Sequence, residues 1–150
     1  MKTLLAKPRA VGFTGTWRGM TGRQADGVQA CLAFAFLPGA EFHHGDCVGA
    51  DDEAAGLAKS LGYVVVAHPG FGMGPGEGPT KRAYSKHNDR TLRPQTYMRR
   101  NQDVVDVSDE LYAAPSSAVE QMRSGTWSTI RRAREKGIYV GIVGPNGEAL

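Results

Sequence analysis

No apolar run in this 150-residue chain approaches the roughly 20 residues that a membrane-crossing helix needs. The opening MKTLLAKPRAVGF has too short an apolar patch for a secretory signal, so a cytoplasmic protein without a membrane partner is expected. Cysteine is scarce. Cys31 and Cys47 form no CxxC pair and no Cys/His cluster of zinc spacing, and reduced, buried thiols are the expectation. His43 and His44 are neighbours on a predicted strand and point to opposite faces, so they do not share a metal. Neither a metal nor a cofactor is expected. Two nucleotide signatures are missing as well: the glycines of residues 12–19 lack the dinucleotide spacing, and no Gly-Lys-Ser/Thr follows them. There is no internal repeat and no low-complexity tail.

What is present fits one globular domain spanning residues 1–150, with 41% hydrophobic and 22% charged residues. The net charge of +3 conceals an asymmetry, because Lys81, Arg82, Lys86, Arg90, Arg93, Arg99 and Arg100 stand close together against Asp89 alone. A solvated basic loop is the ordinary reading of such a run. Its neighbourhood supplies the other.

Strand-like and helix-like patterns alternate along the chain. AVGFTGT (10–16) reads as a strand running into a glycine turn. Thr21, with Gln24 three residues on, opens a helix whose apolar face is Val28, Cys31, Leu32, Ala35 and Phe36, before Pro38 and Gly39 stop it. EFHH then leads through a second glycine turn into a helix with Asp51, Asp52 and Glu53 at its start and Gly62 as its stop. YVVVAH is a β-branched run of the kind buried on both faces of a parallel sheet. After a long Gly/Pro-rich and basic loop at 69–97 come a helix through YMRRNQDVVDVSD, a fourth strand at ELYAAP, a helix from Ser124, and a fifth strand at IYVGIVG. This alternation predicts an α/β fold: a Rossmann-like three-layer sandwich around a mostly parallel five-stranded sheet. Ligands in such sheets bind at the carboxyl ends of the strands, where strand order reverses.

Three strand-to-helix junctions serve that edge. GFTGTWRGMT offers Gly15, hydroxyls such as Thr16, the cation Arg18 and the aromatic Trp17, which either stacks on a base or fills core. HGDCVGAD offers Gly45 with Asp46 and Asp51, carboxylates suited to sugar hydroxyls, although Asp51 is equally placed to cap a helix. Ser124, Gly125 and Thr126 leave amides at a helix start, where an anion such as phosphate is favoured, as is an ordinary serine cap. Three such turns facing one basic segment favour phosphate. Trp127, one turn before Ile130, is expected in the core.

GFTGTWRGMT, HHGDCVGADDEA, the His-Pro at 68–69, YMRRNQDVVDVSD and RSGTWSTIRRAREKG together resemble the small Rossmann-like proteins of the SLOG superfamily. That superfamily includes DNA-processing protein A and the Lonely Guy-type (lysine-decarboxylase-like) phosphoribohydrolases. The resemblance covers nearly the whole chain and implies a nucleotide cleft at the strand ends and a homo-oligomer, a dimer or larger. In the Lonely Guy-type enzymes, Pro-Gly-Gly-x-Gly-Thr-x-x-Glu supplies a phosphate turn and a catalytic glutamate, and a helix arginine is the other key group. Arg100 matches that arginine. Thr129 stands where the glutamate belongs, and SSAVEQMRS is inserted between Pro115 and the Gly-Thr pair.

A hydroxyl does not replace a carboxylate that stabilises an oxocarbenium-like centre or activates water. The first reading is therefore a module that senses or sequesters a nucleotide or nucleotide-derived signal, with Arg82, Arg99 and Arg100 as phosphate partners. The alternative is an N-glycosidic nucleotide hydrolase or transferase using Arg100 with a relocated carboxylate, Glu120 first and Asp46 or Asp51 otherwise. Single-stranded DNA binding is the third, by analogy with DNA-processing protein A, on Tyr84, Tyr97 and the basic segment. GFGMGPGEGP (70–79) is expected to close over the ligand or dock on a neighbouring subunit.

Overall fold

The computed structural model describes residues 7–72 and 81–150. In chain order they form β1 (Ala10–Gly15), α1 (Gly22–Ala35), β2 (Glu41–His44), α2 (Ala50–Leu61), β3 (Val64–Ala67), β4 (Gly70–Phe71) and β5 (Arg90–Thr91). Then follow β6 (Gln95–Thr96), α3 (Tyr97–Val107), β7 (Glu110–Ala114), α4 (Gly125–Lys136) and β8 (Tyr139–Ile142). The main sheet runs β5-β3-β2-β1-β7-β8, and each of its strand pairs is parallel. The five strands expected from the sequence are all present, and the short β5 adds a sixth. β4 and β6 pair apart from them as a two-stranded parallel ribbon. Residues 73–80, which include most of the segment expected to close over a ligand, lie outside the described residues.

Local chemistry sets the helix ends. The Thr21 hydroxyl accepts from the Gln24 amide at 3.0 Å while the Gln24 side chain accepts from the Thr21 amide at 3.3 Å, the reciprocal capping box. Gln24 does more than cap: fully buried, its Nε2 donates to the Pro115 and Val143 carbonyls at 2.8 and 2.9 Å. This fastens α1 to the ends of β7 and β8. Gly62 and Gly137 close α2 and α4 in the left-handed conformation. The cap of α2 is Gly49, without a side-chain bond, so Asp51 is not its N-cap. No helix of the described residues is long and apolar enough to cross a membrane.

α1 and α2 cover one face of the sheet with a continuous apolar cluster that includes Val11, Phe13, Leu32, Phe42 and Val65. Behind α3 and α4 the apolar packing is split into two small clusters, one around Val105 and Leu111, the other around Trp127 and Ile130. Trp127 is therefore core, as its spacing predicts. Neither cysteine is the fully buried thiol expected: both are free and of intermediate exposure. Cys47 lies in the turn after β2, bridged to Arg82, and not in a strand.

Candidate functional site

From β1 the chain runs through α1 to β2 on one side, and it returns through α3 to β7 on the other. The carboxyl ends of β1 and β7 are thus the point where strand order reverses. A cavity of about 400 Å³ opens there, within the range of small-molecule sites. All three glycine-bearing junctions contribute to its wall, through Gly15, Thr16, Trp17 and Arg18, through Gly45 and Asp51, and through Ser124, Gly125 and Thr126.

The first two junctions are locked together. The Thr16 carbonyl accepts from the Gly19 and Ala50 amides at 3.1 and 3.0 Å, and the Thr16 hydroxyl accepts from the Arg18 amide at 3.1 Å. Gly49, at φ +85°, packs so closely on the Trp17 carbonyl that a Cβ would overlap it. The first loop is consequently a fixed turn.

At the third junction the Ser124 hydroxyl accepts from the Trp127 amide at 3.2 Å, an ordinary serine cap. The Gly125 and Thr126 amides, one residue further in, have no partner among the described residues. A Cβ on Gly125 would meet nothing within 4 Å. This glycine is required neither by packing nor by a left-handed backbone, and the space in front of it is open. Thr129, at the glutamate position of the hydrolase pattern, is 1% exposed and donates its hydroxyl to the Gly125 carbonyl at 3.0 Å.

The floor is Arg100 and Asp51, on either side of Gly45. A Cβ on Gly45 would sit 2.6 Å from Arg100 Nη1 and 3.0 Å from Asp51 Oδ2, so only glycine fits between them. Arg100 is buried on α3, its Nη1 donating to the Gly45 carbonyl and, at 3.3 Å, to that of His68. Its Nε donates to Asn101 Oδ1 at 2.8 Å. Asp51 Oδ2 accepts from the Gly45 and Cys47 amides at 2.9 and 3.4 Å. Burial pushes the Asp51 carboxyl above the usual carboxylate range, against the pull of His44, Arg100 and the two amides. Burial likewise lifts the nearby Cys47 thiol to about 11, leaving it a poor nucleophile at neutral pH.

Four residues singled out from the sequence lie elsewhere. Asp46, 1% exposed and left-handed at φ 52°, accepts from the Ser85 amide and Asn88 Nδ2 at 3.0 and 3.2 Å. It braces residues 82–88 through Oδ1 and does not line the cavity. Arg82 pairs with it at 3.5 Å and lies over Tyr84. Arg99 is exposed and paired with Asp103 at 3.0 Å. Glu120 is exposed and held by Arg131 at 2.8 Å, so the structure does not bring it to the cavity. Asp51 is the one carboxylate in the wall among the described residues.

Sequence reasoning missed Lys81, Asn101 and Arg123 in the wall. Arg123 stood in the quoted RSGT stretch, and Asn101 sits beside Arg100, so both were within reach. Lys81 is placed by a contact that no local pattern signals: its carbonyl accepts from the Val48 amide at 2.7 Å.

Behind the floor, His43 Nδ1 and His68 Nε2 are 2.8 Å apart, and His43 Nε2 is 2.9 Å from Glu41 Oε1. Both contacts are satisfied with neutral rings when His43 donates from Nε2 to Glu41 and accepts at Nδ1 from His68 Nε2. Burial lowers both imidazoles, that of His68 to about 3. Burial would raise Glu41, but His43 and Arg90 outweigh it and hold the carboxyl low.

No family model and no curated protein sequence matches this chain. Solved structures do match its shape. A molybdenum cofactor binding protein from the phototrophic bacterium Rippkaea orientalis superposes with a TM-score of 0.64 at 18% identity, over 92% of this chain and 77% of that one. The molybdenum cofactor carrier protein of Chlamydomonas reinhardtii gives 0.60 at 18% identity, over 91% and 76%. DNA processing protein A from Streptococcus pneumoniae gives 0.58 at 20% identity, over 90% of this chain and half of its own. The likeness is one of fold: a Rossmann-like sandwich related to the molybdenum cofactor carriers and to DNA processing protein A.

Proposed function

We propose that this protein binds a phosphate-bearing small molecule, a nucleotide or a nucleotide- or cofactor-derived ligand, at the carboxyl ends of β1 and β7, and holds it without turnover. The observation that carries the reading is the open space at Gly125, with two unpartnered amides at the start of α4 and the buried Arg100 guanidinium in the same cavity. Amides at a helix start and a cation together favour an anion. The fold's relatives support a small ligand, since two of them are named for binding or carrying the molybdenum cofactor. Membership of the SLOG superfamily, on the ordered motifs, belongs to the same proposal.

Holding is favoured over hydrolysis by the carboxylates. Thr129 is engaged with its own helix, and Glu120 is engaged with Arg131. Asp51 keeps the N-glycosidic reading alive, as a buried carboxylate in the wall beside Arg100. Calorimetric titration with nucleoside monophosphates, dinucleotides and cyclic nucleotides, with free base assayed in the same samples, separates the two. Binding with the ligand recovered intact supports the proposal. Base release that disappears in Asp51→Asn establishes the hydrolase instead. Among the cations of the basic segment, Arg82, Arg90 and Arg99 are already paired to Asp46, Glu41 and Asp103, which supports a compact ligand over a nucleic-acid strand.

A further inference from the structure

Trp17 is 48% exposed in the cavity wall, on a turn whose backbone is fixed by Thr16, Ala50 and Gly49. Leaving half an indole in water forgoes burial that the other tryptophan, Trp127, takes in full at 4% exposure. Two cations attend the ring, Lys81 Nζ at 4.3 Å and Arg18 Cζ at 4.9 Å from its centroid. Neither Lys81 nor Arg18 is in an ion pair among the described residues, whereas most of the arginines nearby are committed to a carboxylate or buried. A half-exposed ring on a rigid turn, covered by two flexible side chains whose charges no carboxylate holds, is a stacking platform for a flat group that carries negative charge: the heterocycle takes the place of a cation on the ring, and the cation moves to the anion.

We infer that Trp17 seats the planar heterocycle of the ligand, with Lys81 and Arg18 as counter-charges to its anionic part. This rests on the phosphate reading above and narrows it. The ligand is an aromatic heterocycle joined to phosphate, and a sugar phosphate or inorganic polyphosphate fills only half the site.

The test titrates AMP, GMP and ribose 5-phosphate into the full chain and into Trp17→Ala and Trp17→Phe, by calorimetry and by tryptophan fluorescence. Stacking predicts that the better of AMP and GMP binds about tenfold more tightly than ribose 5-phosphate. Trp17→Ala should bring the nucleotide down to the sugar phosphate and leave the sugar phosphate unchanged, with Trp17→Phe retaining most of the difference. The nucleotide should quench fluorescence in the wild type and not in Trp17→Ala, where Trp127 alone reports. Equal affinity for nucleotide and ribose 5-phosphate in the wild type, which needs no variant to fold, overturns the inference and leaves the phosphate reading standing. So does nucleotide binding unchanged in Trp17→Ala, which would make the ring a cation-bearing part of the turn only. If none of the three compounds binds, both readings fall.

Discussion

The two faces of the sheet are built for different purposes. The face under α1 and α2 is a continuous apolar core in which Phe13, Phe42 and Tyr63 meet alanines along α2, with His44 and Gln24 the polar side chains buried beside it. The face under α3 and α4 has two small apolar clusters, and polar groups are buried around them: Arg100, His43, His68 and Thr129. The same strands serve both, because alternate residues point to opposite faces. On β2, Phe42 enters the apolar core while its neighbours Glu41 and His43 build the hydrogen-bonded side. Apolar packing is concentrated on the first face, and the cavity opens where packing is interrupted.

Breaking the apolar face should have the largest effect. Phe42→Ala removes a fully buried ring and should cost about 3–5 kcal/mol, read as a fall in the urea midpoint. That is a large share of the roughly 5–15 kcal/mol that stabilises a domain. A loss below 1 kcal/mol would show that the two faces share the load.

Acid should act on the polar face next. The imidazoles of His43 and His68 are lowered by burial, the latter to about 3, so the unfolded chain takes up protons near pH 6.5 while the folded protein does not. Stability is therefore full above pH 6.5 and falls as pH drops toward 3, by about 1.4 kcal/mol per pH unit for each ring kept neutral. The depressed Glu41 adds to the loss at lower pH, and the raised Asp51 opposes it. Urea midpoints at a series of pH values check the slope, and His68→Gln should flatten it.

Gly125→Ala separates stability from binding. A Cβ there has room, and alanine at a helix position should stabilise by about 0.4–1 kcal/mol. It would also occupy the open space before the amides, weakening a phosphate ligand roughly tenfold, or about 1.4 kcal/mol. Tm and calorimetry should therefore move in opposite senses. Glu120→Gln should matter least. It removes one exposed ion pair with Arg131, worth about 0–1 kcal/mol, and leaves ligand affinity unchanged.

Much of this division was legible before the structure. The capping box at Thr21, the stop at Gly62 and the five longer strands follow from local pattern, since each depends on residues within one turn or one strand. β5 escaped because two exposed, polar residues, Arg90 and Thr91, have no periodicity to read. Its pairing depends on β3 and on Asp89, which accepts from the Val65 amide. Within the site, position on the sheet edge was legible and individual roles were not. Asp46 and Asp51 look alike in HGDCVGAD. The left-handed backbone at Asp46 turns its carboxylate toward Ser85 and Asn88, far away in sequence, and only Asp51 faces the cavity. Arg99 and Arg100 are neighbours, but helical spacing puts Arg100 on the inner face with Val104, a signal that was available.

The central claim is that the Gly125 and Thr126 amides receive the phosphate. Amide NMR spectra of the isotopically labelled protein, recorded during titration with AMP and with ribose 5-phosphate, test it residue by residue. The account predicts that the Gly125 and Thr126 amide protons move downfield with both compounds, and that amides at the opposite, amino ends of the strands, such as those of Ala40 and Tyr63, stay in place. Saturable shifts confined to other surfaces, with Gly125 and Thr126 unmoved, would contradict it.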